Sequence, residues 1–154
     1  MEVMRARFAA ELRKLHKVGM DSSILIYHLE DIEPYADLTE HIFVAIAEGS
    51  LSAILSTISL TELLVLPFAS GRLDRIEAFE RFLFSFPNLV LIPPAYSIAK
   101  EAAHLRAKYG VRTPDALLVA TALHEKAEAF LTNDTRLRNI KSEGISIMVL
   151  DDFC

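Results

Sequence analysis

The chain contains one cysteine, no tryptophan, five glycines and six prolines in 154 residues. The single thiol, Cys154, cannot make an internal disulfide or a cysteine-based zinc site. A reducing cytoplasm is the expected compartment. So few glycines and prolines, beside 52% hydrophobic and 24% charged residues, exclude a disordered, low-complexity or collagen-like chain. Long apolar runs are also missing. The nearest, 51–70, is interrupted by Ser52, Ser56, Thr57, Ser59, Thr61, Glu62 and Pro67, so no membrane-spanning helix is expected. Residues 1–17 are basic but lack the apolar stretch and small-residue cleavage site of a secretory signal. Positive charge is not in excess: the net charge is -5. That argues against a broad electrostatic footprint for nucleic acid, but it does not exclude an enzyme whose acidic site binds metal. The histidines (His16, His28, His41, His104, His124) show no close ligand spacing and read as scattered residues.

What remains is enough apolar material for one domain of ordinary size. Residues 1–16 set Phe8, Leu12 and Leu15 at helical spacing among Arg5, Arg7, Arg13 and Lys14. They read as a basic N-terminal arm or short helix ahead of a domain at 17–154. Short apolar strands are expected at 18–20, 52–57, 89–92, 129–131 and 145–150. Helices are expected at 22–30, 35–48, 61–68, 72–86, 94–109, 113–126 and 135–140. The helix 113–126 is apolar almost all round and should be largely buried. Strands that are apolar throughout, rather than alternating, belong to sheets covered on both faces. The pattern therefore predicts an α/β fold, with a mainly parallel central sheet flanked by helices on both sides.

Four carboxylates fall at similar junctions. Asp21 follows the first strand, Glu62 the second, and Asp134 the strand at 129–131; Asp115 lies in the first turn of the buried helix. Each has a local explanation. Asp21 and Asp134 suit helix caps, Ser59–Glu62 fits a capping box, and Asp115 behind Thr113 and Pro114 favours the positive end of its helix. Together they suggest more. In a parallel sheet the carboxyl ends of the strands share one edge, where ligands bind. Carboxylates gathered there repel one another. A hard cation such as Mg²⁺ or Mn²⁺, which prefers oxygen ligands, removes that penalty.

The segments Met20-Asp21-Ser22-Ser23, Thr61-Glu62-Leu63-Leu64, Arg112-Thr113-Pro114-Asp115-Ala116 and Thr132-Asn133-Asp134 resemble, in order and rough spacing, the four acidic motifs of PIN domains, including VapC-type toxins. The resemblance covers about residues 17–152. It implies a Mg²⁺- or Mn²⁺-dependent ribonuclease with Asp21, Glu62, Asp115 and Asp134 as catalytic and metal-binding residues. Ser22 and Thr132 match supporting hydroxyl residues, and Asn133 a position often filled by Asn. It also implies a homodimer and, for a toxin, an antitoxin partner seated near the active site. The alternative is a catalytically silent PIN-like scaffold that binds RNA or a protein partner.

Arg112, Arg136 and Arg138 are the RNA-binding candidates, since arginine pairs with phosphate through two hydrogen bonds. Lys100, Arg106 and Lys108 extend the path. Phe79, Phe82, Phe84 and Phe86 read as core or subunit contact, with Phe84 off the main apolar face.

Overall fold

The computed structural model describes the whole chain, Met1–Cys154. Five short apolar segments form strands: β1 (Lys17–Met20), β2 (Ser52–Ser56), β3 (Leu89–Ile92), β4 (Ala129–Thr132) and β5 (Ser146–Val149). All pair in parallel, in the order β3-β2-β1-β4-β5. The chain first builds the sheet outward from β1 through β2 to β3, then returns to the other side of β1. The point where strand order reverses, between β1 and β4, opens a crevice at the carboxyl ends of those strands.

Seven α-helices cover the sheet: α1 (Glu2–Arg13), α2 (Ser22–Leu29), α3 (Ala36–Glu48), α4 (Thr57–Ala69), α5 (Leu73–Ser85), α6 (Tyr96–Tyr109) and α7 (Thr113–His124). Two 3₁₀ segments, Thr135–Glu143 and Leu150–Phe153, complete the chain. Alternation along the strands divides the core in two. Val18, Met20, Ala129 and Leu131 join one cluster with Phe8 of α1, Ile24 and Leu25 of α2, and Ile42 and Ile46 of α3. Phe130 joins the opposite cluster with Ile98 and Leu105 of α6 and Val119 of α7. The result is the expected three-layer α/β fold. No helix is long and apolar enough to cross a membrane.

The position of α7 depends on a missing side chain. A Cβ added at Gly19 would lie 2.6 Å from the Ala122 Cβ, so α7 rests directly on β1. That contact fixes the height at which the first turn of α7 meets the sheet edge.

Several boundaries differ from expectation. The second strand runs straight into α4, which begins at Thr57 rather than 61; Ser56 caps it by accepting from the Ile58 N–H at 3.2 Å. No loop separates strand from helix, so no turn residue marks the change. The capping box on Ser59 does not form. Ser59 is buried inside the helix, its hydroxyl without a hydrogen-bond partner. Pro67 lies within α4 instead of ending it. The segment after β4 is 3₁₀ and continues to Glu143, where Gly144 closes it at φ 85°. Residues 1–16 hold a packed helix. The α1 residues Phe8 and Leu12 are buried, the Phe8 ring meets Phe153 edge-on at 5.1 Å, and Arg5 pairs with Asp37 at 2.5 Å.

Candidate active site

Asp21 sits where β1 gives way to α2. Its backbone is extended, and its Oδ1 caps the helix by accepting the Ser23 N–H at 3.0 Å. The Ser23 hydroxyl donates to the same oxygen. The other oxygen, Oδ2, accepts from the Thr132 hydroxyl. Thr132 is fully buried at the end of β4, the strand beside β1. Its Oγ1 also accepts the Asp134 N–H at 3.0 Å. One hydroxyl thus ties the Asp21 carboxylate to the Asp134 backbone. Burial pushes the Asp21 carboxyl above its ordinary range, although the hydrogen bonds from Ser23 and Thr132 oppose the shift.

Glu62 enters from the second turn of α4. Burial raises its carboxyl, and the charges of Asp115 and then Asp21 raise it further, with Arg112 opposing. Glu62 therefore lies within the field of both Asp115 and Asp21. Asp115 is the third residue of α7; Pro114 holds the first turn, and the Asp115 side chain is only 14% exposed. The Arg112 Nε donates to its Oδ2 at 3.1 Å. Asp134 caps the 3₁₀ segment by accepting the Arg136 N–H at 2.9 Å. The Arg136 guanidinium adds Nε bonds to Oδ1 at 2.9 Å and Oδ2 at 3.2 Å, and an Nη2 bond to Oδ2 at 2.7 Å. Those bonds hold the Asp134 carboxyl below its ordinary range.

The donor set is carboxylate and hydroxyl oxygen, without thiolate or imidazole. That chemistry fits a hard divalent cation. Asp21 is raised by burial, and Glu62 by burial and then by its acidic neighbours, so a cation there would offset both the desolvation and the repulsion.

A family model for the PIN domain matches residues 20–143, well over half of the chain. The chain belongs to the PIN domain family. Solved structures with the same architecture include VapBC2 from Rickettsia felis bound to a promoter DNA fragment. It is 17% identical, with a TM-score of 0.68, and the match covers 86% of this chain and 98% of that one. DNA-bound VapBC from Salmonella typhimurium is 20% identical with a TM-score of 0.65, over 91% and 100% of the two chains. A toxin–antitoxin complex from Klebsiella pneumoniae is 23% identical with a TM-score of 0.56, over 77% and 87%. At these identities the likeness shows the fold. No curated protein matches the chain in sequence.

The remaining expected site residues of this PIN domain fall in three groups. Ser22 makes no hydrogen bond to Asp21; its neighbour Ser23 does so twice. An Asp cap reaches the residue two positions on, so cap geometry was the signal that singled out Ser23. Asn133 lines the same cavity as Asp21 and Asp134 but makes no hydrogen bond to either carboxylate. Its Oδ1 accepts the Asp151 N–H at 2.9 Å, and its Nδ2 donates to the Tyr27 hydroxyl at 3.2 Å. It braces the loop beside the carboxylates. Arg112 and Arg136 lie at the cleft but are engaged by Asp115 and Asp134. Arg138 pairs through two bonds with Asp152, at 2.7 and 2.8 Å, and with none of the four carboxylates. Arg106 is tied to the Val111 carbonyl at 3.1 Å and Lys108 to Glu143 at 2.8 Å.

Histidine spacing gave no sign of one further group. Glu101 and His104 on α6 meet Glu143 with their ligand atoms within 4.8 Å of one another. Glu143 lies far along the chain, so spacing alone does not reveal the group. Lys108 and Tyr109 already satisfy the Glu143 carboxylate, and the Lys108 ammonium competes with any cation there.

Proposed function

We propose that this PIN domain is a Mg²⁺- or Mn²⁺-dependent ribonuclease and the toxin of a toxin–antitoxin pair, acting in the cytoplasm. The observation that carries the reading is the buried Asp21 carboxylate, held by Thr132, whose hydroxyl also accepts the Asp134 N–H, at the edge where strand order reverses; the charges of Asp115 and Asp21 act on nearby Glu62. Asp21 and Asp115 would hold the metal directly, and Glu62 and Asp134 would act through water or as supporting ligands. A divalent cation, when bound, polarises the scissile phosphate and lowers the pKa of its water. Thr132 and Ser23 keep Asp21 in one rotamer, which fixes the geometry for in-line attack on the phosphodiester. Glu62, with its carboxyl raised, accepts the proton of the attacking water at a carboxylate oxygen.

Two surfaces support the partner readings. A groove between α2 and α4, lined by Ile26, Ile32, Leu63, Leu66 and Phe79, runs up to Glu62 and suits an apolar antitoxin segment. The Klebsiella neighbour, a toxin–antitoxin complex, is in keeping with that partner. Phe84 on α5 is 70% exposed, and Leu73 on the same helix is also exposed, which suits a homodimer contact. Phe79, by contrast, is buried, and Phe82 and Phe86 pack on Phe43.

The test is cleavage of a mixed tRNA and rRNA pool with Mg²⁺ or Mn²⁺, wild type beside Asp115→Asn. Metal-dependent cutting that disappears in the variant is expected. Mn²⁺ binding without cutting by either protein would favour the scaffold.

A further inference from the structure

Two of the three arginines expected to hold phosphate, Arg112 and Arg136, instead hold carboxylates of the cleft. Arg136 donates three side-chain bonds to Asp134, and Arg112 donates one to Asp115. Each guanidinium side chain is 64% exposed, whereas the carboxylates beneath are 14% and 21% exposed. The acids are anchored and the bases are not. Asp21 has a different environment: its partners are the hydroxyls of Ser23 and Thr132, the latter buried.

We propose that Arg136 and Arg112 are exchangeable counter-ions, which occupy Asp134 and Asp115 in the resting protein and transfer to RNA phosphates when metal enters the cleft. This rests on the nuclease reading above and deepens it. A divalent cation at these carboxylates competes with the guanidiniums for the same oxygens and repels them as like charge, so its entry favours their release. Each guanidinium stands mostly in solvent, so water can replace it on its carboxylate as it leaves. A phosphate offers the freed guanidinium the same two-oxygen geometry that Asp134 offered. Metal and RNA then strengthen each other's binding, because metal frees the arginine for phosphate and phosphate frees the carboxylate for metal. The contacts are local, Arg112 three residues before Asp115 and Arg136 two after Asp134, so neither transfer requires the backbone to move.

Two measurements on the full chain test this. Calorimetry with MnCl₂ is expected to show about three- to fivefold tighter binding in Arg136→Gln than in wild type. Arg138→Gln, which removes the same charge from the Asp152 pair, should leave the affinity unchanged. Separately, binding of a short mixed-sequence single-stranded RNA is measured in EDTA, where no cutting occurs. Asp134→Asn frees Arg136 and is expected to tighten RNA binding about threefold; the gain should vanish in Asp134→Asn/Arg136→Gln. Wild-type Mn²⁺ binding with an unchanged affinity in Arg136→Gln overturns the inference alone. So does an equal gain in Arg138→Gln, or an RNA gain that survives in the double variant. Wild type that binds no Mn²⁺ overturns the metal-dependent reading itself.

Discussion

The cleft has two halves built on different principles. On the β1 side, Asp21 is set deep, held by neutral hydroxyls and raised by burial. On the outer side, Asp134 is more open, held by a guanidinium and lowered by it. The same side-chain type thus carries opposite electrostatic debts within one site. Hydroxyl partners orient a carboxylate without neutralising it, which preserves its appetite for a cation. Guanidinium partners neutralise it and need to be displaced first. The difference separates a part of the site made for holding from a part made for exchange.

The largest way to break this contrast is at Asp21. Asp21→Asn keeps the cap, since Asn is as good a cap as Asp, but removes the charge. Cleavage in Mn²⁺ is expected to fall about 10²–10⁴-fold, as measured by initial rates on one RNA. Next is Thr132→Val, which removes the hydroxyl shared by Asp21 and the Asp134 N–H. Leaving those groups unpaired is expected to cost about 1–3 kcal/mol of stability by urea unfolding, and to slow cleavage about 10- to 100-fold.

A smaller effect sharpens the contrast through pH. The folded state raises the Asp21 carboxyl, so it binds that proton better than the unfolded chain does. Stability is therefore lost as pH rises from the unfolded value through the folded one. Asp21→Asn should raise Tm at neutral pH, with the gain closing in acid. Asp134 runs the other way: its lowered carboxyl contributes stability above the ordinary carboxylate range and loses it as pH falls. Asp134→Asn should cost no more than about 1 kcal/mol at neutral pH, and nothing in acid. Thermal melts across pH that show the same sign for both variants would erase the distinction between the halves. The smallest effect is expected for Arg138→Ala, which should change RNA affinity less than Arg136→Ala in filter binding, because Arg138 lies on Asp152 and outside the cleft.

Much of this was legible in the residues. Apolar strands followed by an acid or a cap placed Asp21 and Asp134 at one sheet edge, because a parallel sheet leaves no other arrangement. Pro114 fixed the start of α7, and so the place of Asp115. The start of α4 was not legible, since Ser56 serves both as the end of β2 and as the helix cap. Helical pattern and strand pattern overlap there without a glycine between them. The arginine pairings were hidden for another reason. A guanidinium near both an acid and an expected phosphate has two plausible partners, and sequence spacing does not rank them. Glu101, His104 and Glu143 were hidden by distance along the chain, as was the burial of Phe153 against Phe8.

That last contact has a kinetic consequence. Phe8 and Phe153 meet across nearly the whole length of the chain, and contacts of such separation are slow to form. The turn that carries Phe153 also carries Asp151, which grips Asn133, the residue beside Asp134. The fourth acidic motif is therefore fastened by a contact expected to close late. In a refolding experiment, cleavage should return with the burial of Phe153 and not with the earlier growth of helix signal.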